Sequence, residues 1–234
     1  MRANNTSLCL PAGFTFVRLC VVAPMLFICI AALSAVPLPS NAADSIVFVE
    51  KSKVWVLQTR EATYAFGVNE RGELQNMYWG KHVRAEDFSS AHSVPGWSSF
   101  DLSTTTTPQE YPGWGAGLNT EPALKVSFSN GNRGVVLHYV EHQLKNDDLE
   151  ITLKDEVAQL FVHLHYRVYA DNGILERSAR IENRTQEVVT VENAQSAAWT
   201  LPPDRSYRVH YLTGRWAGEW QLQTQLLQIG KAGH

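Results

Sequence analysis

The sequence predicts an all-β fold, an antiparallel sandwich, because three features recur after residue 45. Apolar residues alternate with polar ones, tight turns separate the alternating runs, and no convincing amphipathic helix interrupts them. Alternation with a period of two places successive side chains on opposite faces of a strand, so one face is buried and the other faces water. Runs of this kind at intervals of roughly 10–15 residues favour antiparallel sheets over alternating strands and helices.

Four segments show the alternation most clearly. Their inward positions are expected at Val126 and Phe128; at Val135, Leu137 and Tyr139; at Leu149, Ile151 and Leu153; and at Leu160, Val162, Leu164, Tyr166 and Val168. Turns are expected at Arg71-Gly72, Asn130-Gly131 and Asn172-Gly173, where glycine allows a positive φ. The stretch 81–122 lacks alternation and is rich in glycine, proline and tryptophan, which indicates a long ordered excursion from the sandwich.

Residues 1–42 predict a secretory signal. Their charged residues are Arg2 and Arg18, the run 19–36 has no charge, and Ser40 and Ala42 supply small residues before a cleavage point. A retained anchor is the alternative, because the apolar run is close to the ~18–20 residues that cross a bilayer. We expect cleavage after Ala42, a mature domain over 43–234, and a secreted, extracellular protein without membrane attachment.

Composition excludes several classes of function. Cys9, Cys20 and Cys29 all lie in the leader, so the mature domain would have no disulfide and no thiolate ligand. A net charge of −3 gives no support for a nucleic-acid partner, which usually binds a basic patch. No cofactor is predicted, because the glycines at 113, 115 and 117 resemble a phosphate loop without opening a helix.

Two residue sets could in principle carry chemistry. His163 and His165 share one face of a predicted strand, with His138 or His142 as third-ligand candidates, but zinc needs three or four convergent ligands and no metal is predicted. Glycoside hydrolysis uses two carboxylates, and the candidates are Glu86, Asp87, Glu110, Glu121 and Glu219. Each of these acids is more simply interpreted as a surface or loop-bracing residue.

The tryptophans are more informative about function than these histidines and acids. Six of the seven tryptophans are candidates for sugar stacking or for core filling: Trp79, Trp97, Trp114, Trp199, Trp216 and Trp220. Aromatic faces stack on the C–H surfaces of sugars. Core filling is preferred for Trp79 and Trp199, which adjoin apolar strands, whereas Trp97 and Trp216 lie near glycines and could form a sugar platform.

The triplet Asn183-Arg184-Thr185 is a glycosylation acceptor in a eukaryotic host and is expected on an exposed turn.

Several ordered motifs together carry a family resemblance. Residues 77–81 (Met-Tyr-Trp-Gly-Lys), 109–115, 120–126 and 212–220 (Leu-Thr-Gly-Arg-Trp-Ala-Gly-Glu-Trp) resemble the amino-terminal domain of α-galactosidases of glycoside hydrolase family 36. The resemblance covers residues 46–228. It implies an antiparallel β-supersandwich of the galactose-mutarotase-like kind, followed in family members by a (β/α)₈ barrel and a small β domain.

The resemblance also implies a function. Family members release terminal, non-reducing α-D-galactose from oligosaccharides of the raffinose and melibiose type, with retention, and are often homotetramers. Their two catalytic aspartates lie on the barrel and would fall beyond His234, so no catalytic residue is expected in this chain. The resemblance assigns substrate contacts to Asp87 and Trp216, with Glu86 as a substitute for Asp87 and Trp97 as a further candidate.

The carboxyl-terminal end departs from the family. Residues 223–234 do not continue the family's strands, so the sandwich is expected to be incomplete there, with an exposed apolar edge, and the chain alone is expected to be inactive. A (β/α)₈ barrel needs ~250 residues, more than this chain provides. Two alternatives remain open: a stand-alone secreted carbohydrate-binding module, and a structural sandwich that only supports a barrel and builds an oligomer.

Overall fold

The computed structural model describes residues 45–96, 98–100, 102–115, 117, 121–202 and 206–228. Twelve strands run through this part of the chain: β1 (Ile46–Val49), β2 (Val54–Gln58), β3 (Ala62–Val68), β4 (Leu74–Lys81), β5 (Leu124–Phe128), β6 (Leu137–Lys145), β7 (Asp148–Asp155), β8 (Leu160–Tyr169), β9 (Ile174–Asn183), β10 (Val189–Ala194), β11 (Arg208–Arg215) and β12 (Gly218–Leu226). Three short 3₁₀ helices, Ala85–Asp87, Ser103–Thr105 and Ala170–Asn172, complete the regular elements of the described residues. The predicted signal and Trp97 lie outside these ranges.

Two four-stranded antiparallel sheets form the body of the domain. Strands β1-β2-β3-β4 make one sheet and β6-β7-β8-β9 make the other, each as a simple meander. Strands β10 and β5 pair separately, and so do β11 and β12. The predicted all-β sandwich is confirmed.

The core lies between the inner faces of the two large sheets. Phe66 of β3 stacks on Tyr166 of β8 with ring centroids 4.9 Å apart, and Trp55 of β2 lies 5.5 Å from Tyr139 of β6. The alternating residues predicted to face inward on β5, β7 and β8 are all buried. The period-two pattern therefore identified the inner face of these three strands correctly.

Strand β2 departs from alternation because both of its faces are covered. Trp55 and Leu57 belong to the main core, whereas Val54 and Val56 join Ala65 in a second buried cluster on the opposite face. The side chains of Ala85 and Phe88, from the segment after β4, pack against this second cluster. A strand that is covered on both sides has no polar face to show in its sequence.

The described part of the irregular stretch after β4 is held by hydrogen bonds to the first sheet. The Gln75 side chain donates to the carbonyl of His92 at 3.0 Å, and the Asn76 amide donates to the carbonyl of Pro108 at 2.8 Å. Further along, the Glu110 amide donates to the carbonyl of Leu74 at 2.8 Å. These bonds hold the described part of the stretch against β4.

The predicted glycine turns have the expected backbone. Gly72, Gly131 and Gly173 have φ values of 79°, 84° and 68°. Side chains other than glycine rarely adopt this left-handed region, so glycine is the least strained residue at each turn. The turn predictions are confirmed at all three positions.

The β11–β12 hairpin presents apolar side chains to solvent. Leu212 lies opposite Leu222 in the pairing register, and both side chains are exposed. No third strand pairs with this hairpin among the described residues. These side chains offer apolar surface to a neighbouring domain or subunit.

Candidate functional site

The residues assigned to substrate contact fall in different parts of the domain. Asp87 ends the 3₁₀ helix Ala85–Asp87, where both of its carboxylate oxygens accept hydrogen bonds from Arg84, at 3.1 Å from Nε and 2.9 Å from Nη2. Glu86 precedes it and is also exposed. Trp216 lies in the tip of the β11–β12 hairpin, and Trp97 lies outside the described residues. The structure therefore leaves these substrate assignments as predictions.

The hairpin tip is a tight and partly strained turn. A Cβ atom on Gly214 would lie 2.8 Å from the Cα atom of Glu219, so only glycine fits there without movement. Ala217 and Trp220 adopt φ values of 61° and 62°, which are costly for residues other than glycine. The tip leaves the Trp216 side chain 92% exposed.

A second aromatic surface was missed by sequence reasoning. Trp79 and Trp199 were expected in the core, but they are 40% and 45% exposed, and that expectation was wrong. Their ring centroids lie 5.3 Å apart, and the edge of Tyr64 contacts both rings. The two indoles pack on each other because Trp199 follows β10 and returns to the end of β4, a long-range contact that local pattern does not encode.

Two cavities adjoin the Trp79–Trp199 pair. One, of about 480 Å³, is lined by Asn76, Lys81, Pro108 and the chain around Leu201; the other, of about 280 Å³, is lined by Leu57, Thr63, Leu175 and both indoles. No carboxylate lines either cavity among the described residues. These cavities can accommodate apolar or sugar-like surface, but they lack the paired acids of glycoside hydrolysis.

Beneath this pair lies a buried ionic cluster around Glu110, which we call the Glu110 cluster: Glu110, Arg177, Tyr64, Tyr166 and Asn76. The Glu110 carboxylate lies 2.9 Å from Arg177 Nη1 and accepts hydrogen bonds from the hydroxyls of Tyr64 and Tyr166 at 2.7 to 2.9 Å. Asn76 Nδ2 donates to it at 3.3 Å. Complete burial raises the pKa of Glu110, while Arg177 and the hydrogen-bond donors oppose that rise.

Arg177 links the Glu110 cluster to the irregular stretch after β4 and to the segment after β10. Its Nη2 donates to the backbone carbonyl of Glu110 at 2.6 Å, and its Nη1 donates to the carbonyl of Ala198 at 3.1 Å. Its guanidinium also lies 5.5 Å from the centroid of Trp199. Arg177 therefore fixes the irregular stretch, the segment after β10 and the exposed indole in one arrangement.

Sequence reasoning considered Glu110 as a loop-bracing acid and overlooked its partner. The available signal was the alternation of β9, whose Leu175, Arg177, Ala179 and Ile181 pair with the inward residues of β8. A charged side chain at an inward position requires a buried partner of opposite charge. Reading β9 in this way would have pointed to Arg177.

The remaining candidates have other partners. Trp114 has the Lys125 ammonium 5.0 Å from its ring centroid, so a cation covers this indole. His163 and His165 both contact Glu150, at 3.3 and 2.9 Å. His142, a third-ligand candidate, instead packs on Phe48 with centroids 4.4 Å apart, and burial lowers its pKa. Within the described ranges, no group of His, Cys, Asp and Glu has the arrangement to hold a metal ion.

We expect the domain to lose stability as the pH rises above about 10, the ordinary pKa of tyrosine. Burial raises the pKa of Tyr111 to about 12, and burial together with the Glu110 charge also raises the pKa of Tyr64 and of Tyr166. The unfolded chain then loses these protons before the folded chain does, so a rising pH favours unfolding. This stabilisation is complete below the unfolded pKa and is lost as the pH rises through the folded values.

Urea unfolding at a series of alkaline pH values, with tyrosinate absorbance recorded in parallel, measures this effect. The buried tyrosines should ionise only as the domain unfolds. Their ionisation near the ordinary pKa in a chain that stays folded would contradict the burial described here. Tyr111→Phe is the matched control, because it removes one raised pKa and should reduce the pH dependence.

Among the described residues, no helix is long and apolar enough to cross a membrane. The apolar run 19–36 falls outside those residues, so the choice between a cleaved signal and a retained anchor stays a prediction. The division into a leader over 1–42 and a domain over 43–234 stays a prediction for the same reason.

Comparison with known proteins identifies the domain. The model of the glycosyl hydrolase family 36 N-terminal domain matches residues 72–233. The α-galactosidase AgaA of Geobacillus stearothermophilus is 28% identical over 215 residues, which cover 80% of this chain and 29% of AgaA. The bifunctional α-galactosidase/sucrose kinase AgaSK of Mediterraneibacter gnavus is 28% identical over 65% of this chain and 19% of its own length.

Solved structures agree with this assignment. The crystal structure of the family 36 α-galactosidase AgaB from Geobacillus stearothermophilus has a TM-score of 0.68 at 27% identity, over 79% of this chain and 29% of AgaB. A variant of AgaA solved with raffinose has a TM-score of 0.64 at 29% identity, over 76% of this chain and 28% of its own. The chain thus spans less than a third of the length of these relatives. On the family match and the shared fold, this chain belongs to the glycosyl hydrolase family 36 N-terminal domains.

Proposed function

We propose that this chain supplies the amino-terminal domain of a secreted α-galactosidase, which removes terminal, non-reducing α-D-galactose from galacto-oligosaccharides with retention of configuration. The family match over residues 72–233 supports the proposal, as do relatives that are named α-galactosidases. Variants of one relative, AgaA, crystallised with raffinose and with stachyose support galacto-oligosaccharides as the substrate class.

Within that enzyme, the role of this domain is to form part of the wall of the sugar pocket and to support oligomerisation. The observation that carries this role is the exposure of Trp216 at the tip of a hairpin that projects apolar side chains. An exposed indole on a strained turn offers a flat surface for the C–H face of a sugar ring. Exposed apolar side chains such as Leu212 and Leu222 offer surface to a neighbouring domain or subunit. Asp87, held by Arg84, is the second proposed contact.

The acids considered as catalytic candidates do not form a hydrolytic pair at the sites described above. Retaining hydrolysis requires two carboxylates about 5–5.5 Å apart at an open site. Glu110 is fully buried and Asp87 is bound to Arg84, and no acid lines the two cavities beside Trp79. We therefore propose that the domain acts on substrate together with a catalytic domain that carries such a pair.

Trp216→Ala should weaken substrate binding without abolishing catalysis. In a fusion of this domain to the barrel of the Geobacillus relative AgaA, we expect KM for raffinose to rise about tenfold, equivalent to ~1.4 kcal/mol, with kcat little changed. Trp220→Ala is the matched control, because it removes a second exposed indole of the same hairpin. An unchanged KM together with a lower melting temperature would show that the domain only supports the barrel, and a folded but inactive fusion would contradict the proposal.

A stand-alone carbohydrate-binding module is the second candidate, favoured by the half-exposed Trp79–Trp199 pair beside its two cavities. Calorimetric titration of the purified chain with galactose, raffinose and an unrelated glucan separates the two functions. Saturable binding by the chain alone, abolished by Trp79→Ala, favours the module. A lack of binding by the chain, with binding by the fusion, favours the wall of an enzyme pocket.

A further inference from the structure

The turn between β9 and β10 carries a motif that the proposed function does not use. Asn183 ends β9 and begins the acceptor triplet Asn183-Arg184-Thr185, which meets the sequence requirement for N-glycosylation. Asn183 is exposed, as an acceptor in a folded glycoprotein must be. Within the described ranges, no other asparagine begins such a triplet.

The geometry of the turn leaves the acceptor nitrogen available. Asn183 Oδ1 accepts hydrogen bonds from the Thr185 amide at 2.9 Å and from the Thr185 hydroxyl at 2.7 Å. Asn183 Nδ2 donates to the carbonyl of Glu187 at 3.0 Å. A primary amide has two donor protons, so this bond leaves the second proton free to be replaced. An Asn183 that carries a sugar would therefore keep every hydrogen bond of the turn.

We infer that Asn183 is a site of N-glycosylation when the chain passes through a eukaryotic secretory pathway. The donor is an oligosaccharide linked to a lipid pyrophosphate. Its anomeric carbon forms a bond to Nδ2 of Asn183, the bond from that carbon to the phosphate oxygen breaks, the lipid pyrophosphate leaves, and Nδ2 loses one proton. The inference rests on the proposed export of the chain and is independent of any α-galactosidase activity.

The surroundings of the turn can accommodate a bulky polar group. Arg184 is turned to Glu182, with Arg184 Nε 2.6 Å from Oε1, and its backbone amide donates to the carbonyl of Gln159 at 2.8 Å. The turn therefore stays anchored to β9 and to the residue before β8 whatever is attached to Asn183. Next to Thr185 lies a shallow cavity of about 230 Å³ that includes the exposed Val157, which a sugar ring can partly cover.

Glycosylation here constrains how the domain assembles. An oligosaccharide at Asn183 would keep the end of the β9–β10 turn in contact with solvent. That turn would then be excluded from any interface with a second domain or subunit. The β11–β12 hairpin belongs to a different sheet and would remain available for contact.

The test is secretion of the full chain from a yeast host, followed by peptide mapping. Treatment with a peptide N-glycosidase in heavy-oxygen water converts a glycosylated asparagine into an isotope-labelled aspartate, which mass spectrometry locates. We expect the label at Asn183 and a gel mobility shift that the enzyme removes. Asn183→Gln and Thr185→Ala should abolish the label at this position, and Thr185→Ser should retain it because serine also completes the acceptor triplet.

One further control makes the result decisive. Asn4 and Asn5 also begin acceptor triplets, so a second version replaces residues 1–42 with the secretion signal of the host. This version also separates failure of export from failure of glycosylation. Folded, secreted protein with unmodified Asn183 in both versions would overturn the inference, whether or not a fusion with a barrel hydrolyses galactosides.

Discussion

Replacing Glu110 with alanine should lower the free energy of unfolding by about 3–5 kcal/mol, the range observed when one partner of a buried ion pair is removed. The substitution leaves the Arg177 guanidinium buried without its carboxylate, 1% exposed in the folded chain. It also removes the acceptor of the Tyr64 and Tyr166 hydroxyls. Both losses fall in the contact between the two large sheets, so the whole domain should be destabilised rather than one loop.

Urea unfolding followed by tryptophan fluorescence measures this change. Removing both charges, as in Glu110→Gln combined with Arg177→Met, should cost less than the sum of the single substitutions, because neither buried charge is left unpaired. Arg84→Met is a control on an exposed ion pair and should cost at most about 1 kcal/mol. A Glu110→Ala variant as stable as the parent chain would show that the cluster does not hold the sheets together.

Replacing Trp55 with alanine should lower the free energy of unfolding by about 3–5 kcal/mol, as it does for other large aromatic residues in well-packed cores. Trp55 is fully buried and lies at the junction of the sheets, with its ring centroid 4.8 Å from Phe48 and 5.7 Å from Phe66. Removing the indole leaves a cavity that the surrounding strands cannot fill, because they are fixed by their hydrogen bonds on both sides.

Trp55→Phe is the informative control. The indole Nε1 has no hydrogen-bond partner among the described residues, so tryptophan carries the cost of an unsatisfied buried donor here. Phenylalanine keeps an aromatic ring in the stack and removes that donor. In a thermal or urea unfolding experiment, we expect Trp55→Phe to lower the free energy of unfolding by well under half as much as Trp55→Ala does. Equal losses for the two variants would contradict the interpretation of Trp55 as a core-filling residue.

The fold class could be predicted because most strands have one inner face. Leu160, Val162 and Leu164 alternate with more polar residues, and a period of two fixes which side of the strand is buried. The glycine turns could also be predicted from the local sequence, since the requirement for a positive φ is set by the turn itself. The period-two pattern does not describe β2, because residues such as Phe88 cover its second face as well.

The partners of the buried polar residues could not be predicted from local pattern. Glu110 and Arg177 are 67 residues apart in sequence, and their contact depends on how the irregular stretch returns across the sandwich. The same holds for Trp79 and Trp199, whose exposure is decided by packing between distant segments. Trp216 was correctly placed near a glycine turn, but whether it contacts sugar depends on surfaces other than its own hairpin.

We propose that this chain is a sugar-facing domain that depends on a separate catalytic domain for hydrolysis. The most direct test is to incubate the purified chain with a chromogenic α-galactoside and to follow release of the aglycone, with the fusion to the AgaA barrel assayed alongside. We expect the fusion to release the aglycone and the chain alone to release none above the buffer blank. Release by the chain alone, in proportion to its concentration through successive purification steps, would contradict the proposal.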